Sequence, residues 1–218
     1  MRFLTYNIRH AKGLDGHVRI RRIAETVAAL APDVAGFQEV RRGMLIGDQP
    51  HALRRQLGLD GSFEPAIRVR GYHFGNLLLT RGRVLSAEQI ALPSLTAVAR
   101  GCLLARVELG GARFAVAVTH LGVRPADLEP HLAILLQRLP RDEPLVLLGD
   151  FNATVARLSP LNELLTLTAD SPPTFPAGRP SAAIDLVGFS EHWRLTSLTA
   201  VRSEASDHLP LLAELELA

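Results

Sequence analysis

The feature that most constrains the fold is a series of short apolar segments, each of a length typical of one β-strand. They are rich in Val, Leu, Ala and Phe, and they are bounded by Gly, Pro or charged residues. The segments that we interpret as strands are Phe3–Ile8, Asp33–Val40, Asn76–Thr80, Cys102–Leu109, Arg113–His120, Leu145–Leu148, Ile184–Phe189, Leu195–Val201 and Leu211–Leu217. The pair Gly110-Gly111 separates the apolar runs Val98–Leu109 and Ala112–Leu121, and this arrangement predicts a β-hairpin.

Segments with helical periodicity lie between these strands. The predicted helices are Val18–Leu30, Gln49–Leu57, Ala126–Leu139 and, from a weaker pattern, Leu158–Leu167. We interpret the stripe of Leu128, Leu132, Leu135 and Leu139 as a face that packs into the core. Strands mixed with helices predict an α/β or α+β protein with a mixed sheet. The proline-rich stretch Ser171–Pro180 is too short to link domains, so we expect one domain over residues 1–218.

The composition excludes several other classes of protein. The hydrophobic content of 47% and the net charge of +2 exclude a disordered chain. The single Cys102 excludes an internal disulfide framework and a cysteine-rich zinc site. No apolar run reaches the length of a membrane span, and the first residues lack the apolar core of a secretory signal. We therefore expect a cytoplasmic protein with no stable membrane insertion and no obligate protein partner.

The charge is unevenly distributed along the chain. Residues 1–83 contain 14 basic and 7 acidic side chains, whereas the remainder contains 10 basic and 15 acidic ones. Such asymmetry is typical of a face for anionic partners, but one folded domain would also mix the two halves. The arginine-rich segments Arg9–Lys12, Arg41-Arg42 and Arg68–Arg70 follow predicted strands, where they could contact a phosphate-bearing substrate such as DNA or RNA.

Polar residues of chemically useful types stand at the ends of several predicted strands. These ends are Thr5–Asn7, Gly36–Glu39, Thr119-His120, Gly149–Asn152 and Ser206–His208. Two carboxylates and an asparagine can hold one hard cation through oxygen, and an Asp–His pair supplies a general base. Each motif alone also fits a turn or a helix cap, but five of them at strand ends predict a functional site.

These motifs, taken in order, resemble the endonuclease/exonuclease/phosphatase superfamily, which includes pancreatic-type deoxyribonucleases, abasic-site endonucleases and neutral sphingomyelinases. The motifs are TYNIR (Thr5–Arg9), FQEV (Phe37–Val40), GNLLLTR (Gly75–Arg81), TH (Thr119-His120), GDFN (Gly149–Asn152), ID (Ile184-Asp185) and SDHLP (Ser206–Pro210). The resemblance covers essentially the whole chain. It implies a four-layer α/β/β/α sandwich of two mixed β-sheets flanked by helices, with the site at one end of the sheets.

The resemblance also implies a metal site. Glu39 corresponds to the principal Mg²⁺ ligand, and Asn7 and Asp207 complete or support the metal shell. Mg²⁺ prefers oxygen ligands and needs only one or two carboxylates, which agrees with this set. We expect Mg²⁺ as the cofactor, with Mn²⁺ as a substitute.

The remaining roles concern water and phosphate. The resemblance implies that His208 is the general base or stabilises the phosphate transition state, and that Asp185 orients its imidazole. It implies that Asp150 positions or deprotonates the attacking water, Asn152 hydrogen-bonds a phosphate oxygen and His120 donates to the scissile phosphate. The expected activity is Mg²⁺-dependent hydrolysis of phosphoesters, first as a phosphodiesterase or nuclease. The alternatives are a phosphatase or phosphodiesterase acting on a small metabolite or lipid headgroup, and a catalytically inactive binding module.

One departure from the family pattern affects His120. Many relatives have an acidic residue that pairs with this histidine, but His73 or Phe74 stands in that region here. The orientation of His120 and the role of the neighbouring Tyr72 are therefore left open. The histidines outside the motifs, which are His10, His17, His51, His131 and His192, are expected to be surface residues.

Overall fold

Two mixed β-sheets, packed face to face, form the centre of the fold. The structure is a computed structural model, and it describes residues 1–43, 47–69, 71–94 and 99–218. In spatial order, the first sheet contains β12 (Trp193–Ala200), β13 (Leu211–Leu217), β1 (Arg2–Asn7), β2 (Val34–Gly43), β5 (Tyr72–Thr80) and β4 (Asp60–Val69), with the short β3 (Gly47–Asp48) beside β2. The second contains β10 (Thr166–Leu167), β11 (Asp185–Phe189), β9 (Leu145–Asp150), β8 (Ala112–His120), β7 (Arg100–Leu109) and β6 (Arg83–Leu92).

Helices cover the outer face of each sheet. The helices α1 (Ile20–Leu30) and α2 (Gln49–Leu57) pack on the first sheet, where Ile23, Val27 and Leu53 are buried against the strands. The helix α3 (Pro125–Arg138) and a 3₁₀ segment (Val155–Glu163) cover the second sheet in the same way. The leucine stripe of the third predicted helix is buried in this layer. The expected four-layer sandwich of two mixed sheets flanked by helices is therefore confirmed.

The layer between the sheets is the aromatic centre of the core. Phe3, Phe114 and Trp193 pack edge to face there, with ring centroids 5.3–5.9 Å apart. Gly36 on β2 faces the second sheet, and a Cβ at this position would lie 2.9 Å from Cγ2 of Val118. A larger side chain at residue 36 would thus push the sheets apart, because protein interiors have no spare volume.

Most of the predicted elements are present, with shifted ends. The hairpin over Gly110-Gly111 is confirmed, with β7 beginning at Arg100; Val98, the start predicted for this run, lies outside the described residues. The helix predicted over Leu158–Leu167 is wrong: a 3₁₀ segment ends at Glu163, and β10 follows it. Pro160 inside this segment lacks the N–H that a continuous α-helix requires.

The expectation that His131 lies on the surface is also wrong. His131 is fully buried on α3, where its Nε2 lies 2.7 Å from the Pro93 carbonyl and its Nδ1 accepts from the N–H of Gly122. The buried histidine is thus satisfied by two backbone groups, as buried polar groups usually are.

None of the helices in the described part of the chain has both the length and the apolar sequence that a membrane span requires.

Candidate active site

The ends of strands from both sheets meet at one edge of the sandwich. Asn7 ends β1, while His120 and Asp150 end the parallel neighbours β8 and β9. Asp185 begins β11, which runs antiparallel to β9, and this register places Asp185 beside Asp150. The loop that precedes β13 brings His208 to the same edge. Side chains distant in sequence therefore converge because the strand registers place them together.

Asp150 lies at the centre of this cluster. Its Oδ2 accepts a 2.9 Å hydrogen bond from Nδ2 of Asn7, and it lies 3.4 Å from Nε2 of His120 and 3.8 Å from Nε2 of His208. The residue is 1% exposed. Burial and the nearby Asp185 carboxylate together raise the pKa of Asp150. A buried carboxylate with a raised pKa is a suitable group for accepting a proton.

His208 is held by an acidic partner on the opposite side of its ring. Its Nδ1 lies 2.8 Å from Oδ2 of Asp185, which also accepts a hydrogen bond from the hydroxyl of Thr174. Phe175 packs on the imidazole with a centroid separation of 4.7 Å. Burial lowers the pKa of His208, but Asp185 and Asp150 outweigh it and raise the pKa to about 9. The geometry therefore favours an imidazolium at neutral pH.

His120 has the opposite electrostatic environment. It is 5% exposed, and Nη1 of Arg100 lies 3.4 Å from its Nδ1. Burial, helped by the positive charges of Arg100 and His208, holds the pKa of His120 well below its usual value. A guanidinium can only donate, so it selects the neutral tautomer in which Nε2 carries the proton. That Nε2 is the atom that faces Asp150.

Glu39 lies on the more open side of the site. Its Oε1 lies 3.4 Å from Nδ2 of Asn7, and its Oε2 lies 3.5 Å from Nδ1 of His10. Burial raises the pKa of Glu39, and it outweighs the Asn7 hydrogen bond and the positive charges of Arg100 and His208. Apart from His10, no basic group in the described ranges comes within ion-pair distance of it. Asn7 bridges the carboxylates of Glu39 and Asp150 through the same amide nitrogen.

The last two predicted site residues lie at the rim. Asp207 forms an ion pair with Arg9, with 3.2 Å between Oδ2 and Nε. The backbone N–H of Asn152 donates to Oδ1 of Asp150, and its side-chain amide donates to the carbonyl of Leu121. The structure thus places Asn152 on the second sheet's side of the site, and Asp207 in the loop that carries His208.

Unusual backbone conformations concentrate around this edge. Non-glycine residues with positive φ include Arg9 (44°), His10 (49°), Ala11 (65°), Glu39 (58°) and Asn152 (48°). Such conformations are costly for residues with a Cβ, and they are typical of functional sites whose surroundings enforce them. At Glu39 the conformation coincides with an irregularity in the β2–β5 pairing between Phe37 and Val40.

Two parts of the site have donor sets suitable for a cation. Asp150, Asp185 and His208 offer ligand atoms within 4.8 Å of one another. In that cluster Oδ1 of Asp185 is buried with no hydrogen-bond partner, but its other oxygen already binds His208. Glu39 offers both oxygens, with only weak contacts to neutral groups. The oxygen chemistry of both groups fits a hard divalent ion.

Sequence reasoning missed two residues that contact the predicted site. Arg100 stands where no motif marks it, and its guanidinium, rather than an acidic group, lies beside Nδ1 of His120. His10, expected at the surface, is half-buried against Glu39. Of the residues left open, Tyr72 lies under the guanidinium of Arg41 and His73 pairs with Arg42.

Comparisons with known proteins agree with this architecture. A family model described as the Endonuclease/Exonuclease/phosphatase family matches residues 4–208. A solved endonuclease/exonuclease/phosphatase from Beutenbergia cavernae is 26% identical with a TM-score of 0.89, covering 100% of this chain and 72% of that chain. The mannosyl-6-phosphatase Bt3783 of Bacteroides thetaiotaomicron is 16% identical with a TM-score of 0.80, covering 100% of both chains. ANGEL2, a 2′,3′-cyclic phosphatase solved with adenosine-2′,3′-vanadate, is 17% identical with a TM-score of 0.79, covering 99% of this chain and 95% of that chain.

The comparison with curated proteins gave no match. The family match spans nearly the whole chain, from β1 to His208. The solved structures have the same fold as this chain over the aligned residues. The chain therefore belongs to the endonuclease/exonuclease/phosphatase family, whose members are hydrolases that act on phosphoesters.

Proposed function

We propose that the protein is a divalent-metal-dependent phosphoester hydrolase that uses Mg²⁺, with phosphodiesters, including DNA or RNA, as its first substrate class. The observation that carries the proposal is the convergence on Asp150: one buried carboxylate oxygen faces an amide donor, a neutral histidine and a histidine paired with a second acid. This arrangement can activate a water and stabilise charge on a phosphate within one small volume.

The metal belongs on the Glu39 side in this proposal. Among the described residues, only His10 lies within ion-pair distance of the partly exposed Glu39 carboxylate, and the more distant charges around it are those of Arg100, Asp207 and His208. Asn7 would support the ion by fixing Glu39 through its amide nitrogen, rather than by offering its oxygen in the conformation observed. When bound, Mg²⁺ supplies charge neutralisation for the phosphate and the leaving oxygen.

Asp150 is the group that accepts the proton of the attacking water. Its raised pKa makes it a stronger base than an exposed aspartate, and Asn7 fixes its orientation. His208 then acts as a cation that stabilises the developing negative charge on the phosphate, with Asp185 fixing the ring. Of the two roles implied for His208, the structure thus favours transition-state stabilisation over general base.

His120 and Asn152 complete the phosphate-binding side. The Nε2–H tautomer of His120 has its donor directed into the site, and it stays neutral because burial and Arg100 disfavour a second proton. The amide of Asn152 can donate to a phosphate oxygen without repelling it. Its present hydrogen bond to the Leu121 carbonyl uses one of its two amide hydrogens.

A phosphomonoester is the second candidate substrate, and Arg100 is the observation that favours it. This arginine is partly buried, and it forms no ion pair with any described residue. Its charge would balance the additional negative charge that a monoester carries. One solved protein of this fold is named as a mannosyl-6-phosphatase, which is a phosphomonoesterase, whereas ANGEL2 is named as a phosphatase for a 2′,3′-cyclic phosphate, which is a cyclic diester.

A panel of phosphoesters tests the proposal and separates its two forms. The purified protein is incubated with bis(p-nitrophenyl) phosphate, p-nitrophenyl phosphate, supercoiled plasmid and RNA, with Mg²⁺ or with chelator. Turnover of diesters but not of the monoester supports a phosphodiesterase, and the reverse supports a phosphatase. If no phosphoester is hydrolysed even at high protein concentration, the chain is a binding module and the proposal is wrong.

A further inference from the structure

A single buried amide connects the two chain segments that form the metal side of the site. Gln49 is 6% exposed, and it is the first residue of α2. Its Nε2 donates a 2.7 Å hydrogen bond to the carbonyl of His10, and its Oε1 accepts a 3.0 Å hydrogen bond from the N–H of Arg41. His10 follows β1 and Arg41 lies just beyond Glu39 on β2, so one side chain binds both the segment after β1 and the strand β2.

Both segments have backbone conformations that need external support. Arg9, His10 and Ala11 are three consecutive residues with positive φ, and Glu39 has a φ of 58°. The pairing of β2 with β5 is irregular between Phe37 and Val40, so regular strand hydrogen bonds do not fix Glu39 there. Such conformations persist only where their surroundings enforce them. The buried Gln49 side chain contacts the segment at His10 and the strand β2 next to Glu39.

The position of Gln49 is itself fixed by the start of α2. Asp48 caps the helix, because its Oδ1 accepts a 2.9 Å hydrogen bond from the N–H of His51, and a proline stands in the first turn. Leu53, one turn further on, is buried in the core beneath the helix. The amide is therefore carried by a rigid element rather than by a loop.

We propose that Gln49 is a positioning residue for the metal side, acting by holding His10 and Glu39 together. This inference rests on the proposed role of Glu39 as metal ligand. Without the amide, the His10 carbonyl and the Arg41 N–H lose their buried partners, and the segment at His10 can relax away from β2. The contact between Nδ1 of His10 and Oε2 of Glu39, now 3.5 Å, would loosen, and Glu39 would lose its preorganised orientation.

The test compares Gln49→Met with Gln56→Met, a matched change at an exposed glutamine of the same helix. Mn²⁺ binding is measured by electron paramagnetic resonance and calorimetry, without substrate, alongside thermal unfolding. We expect Gln49→Met to raise the Mn²⁺ Kd about tenfold, the scale of changes around metal ligands, and Gln56→Met to leave it unchanged. Amide hydrogen exchange at Arg41 should become faster in Gln49→Met alone.

The outcomes separate this inference from the proposed function. Equal Mn²⁺ affinity in the wild type and Gln49→Met would overturn the positioning role, and so would an equal loss in Gln56→Met. A wild type that binds no Mn²⁺ would instead refute the metal side of the proposed function, and this inference with it. If Gln49→Met does not fold, Gln49→Asn replaces it, because the shorter amide cannot reach both His10 and Arg41 and should weaken Mn²⁺ binding in the same direction.

Discussion

The site contains two groups of side chains, one around Glu39 and one around Asp150. The positive charges of Arg100 and His208 act on both carboxylates, and Nε2 of His208 lies 3.8 Å from Asp150. The two groups meet at Asn7, whose amide nitrogen contacts a carboxylate in each. A substrate phosphate between them would contact a metal on one side and imidazole and guanidinium groups on the other.

Glu39→Gln should weaken metal binding without changing the fold. The amide has nearly the volume of the carboxylate but no charge, so we expect the Mg²⁺ requirement to rise at least about tenfold. Excess Mg²⁺ or Mn²⁺ should restore part of the activity. The measurement is metal titration by calorimetry and by activity. Glu25→Gln, at a carboxylate on α1 that is 59% exposed, is the matched control. Wild-type metal dependence in Glu39→Gln would exclude it as a ligand.

His208 should make stability depend on pH in a defined window. Its pKa is raised from 6.5 to about 9 in the folded protein, so the folded state binds this proton more tightly than the unfolded state does. The stabilisation of the folded state by protonated His208 is fully present below pH 6.5, and it is lost as the pH rises through 9. The free energy of unfolding of the wild type, relative to His208→Gln, should fall across this window by on the order of 3 kcal/mol.

Urea unfolding in chelator at several pH values between 6 and 10 measures this difference. Asp185→Asn is the second variant, because it removes the main partner that raises the pKa of His208. It should flatten most of the pH dependence. A wild-type curve parallel to that of His208→Gln across the whole window would contradict the imidazolium assignment.

The identities of the site residues could be predicted more readily than their partners. Asn7, Glu39, Asp150 and His208 stand in recognisable motifs at strand ends, and the structure brings them together. Arg100 belongs to no motif, because its role depends only on the register that places Gly101 opposite His120. A contact that arises from strand pairing alone leaves no local signal in the sequence.

At the scale of helices and strands, the pattern of apolar residues determined which elements could be predicted. Strands that are buried on both faces, such as β1 and β9, have continuous apolar sequences. Their predicted limits agree with the structure within a few residues. The edge strands β4 and β6 were not predicted. Most residues of β6 are exposed, and an exposed edge strand does not need a continuous apolar sequence. The 3₁₀ segment was mistaken for a helix because its buried leucines have helical spacing.

The leucine face of α3 should contribute to stability and not to catalysis. Leu135 is fully buried against the second sheet, so Leu135→Ala removes apolar contacts and leaves a cavity. We expect a loss of about 2–5 kcal/mol in the free energy of unfolding, with unchanged kcat for the protein that remains folded. Leu85→Ala, at a leucine that is 40% exposed on β6, should cost no more than about 0.5 kcal/mol. Equal losses in urea unfolding would contradict the assignment of α3 to the core.

For the whole molecule, the decisive property is that the two sheets share the edge at which the candidate site lies. The first sheet supplies Asn7 and Glu39, and the second supplies His120, Asp150 and Asp185. The glycine at position 36 lets the sheets approach closely, which keeps these groups within hydrogen-bond distance. This architecture could be predicted only through the family resemblance, because the sequence pattern alone indicated mixed strands and helices without their layering.

We propose that Asp150 is the central residue of the active site of a metal-dependent phosphoester hydrolase. The hydrolysis rates of bis(p-nitrophenyl) phosphate and p-nitrophenyl phosphate, with Mg²⁺ and with chelator, test this role of Asp150. The proteins compared are the wild type, Asp150→Asn and the exposed control Asp170→Asn. We expect Mg²⁺-dependent turnover of at least one ester by the wild type and Asp170→Asn, and a rate at least about 100-fold lower for Asp150→Asn. Full activity in Asp150→Asn, or wild-type turnover that persists in chelator, would contradict it.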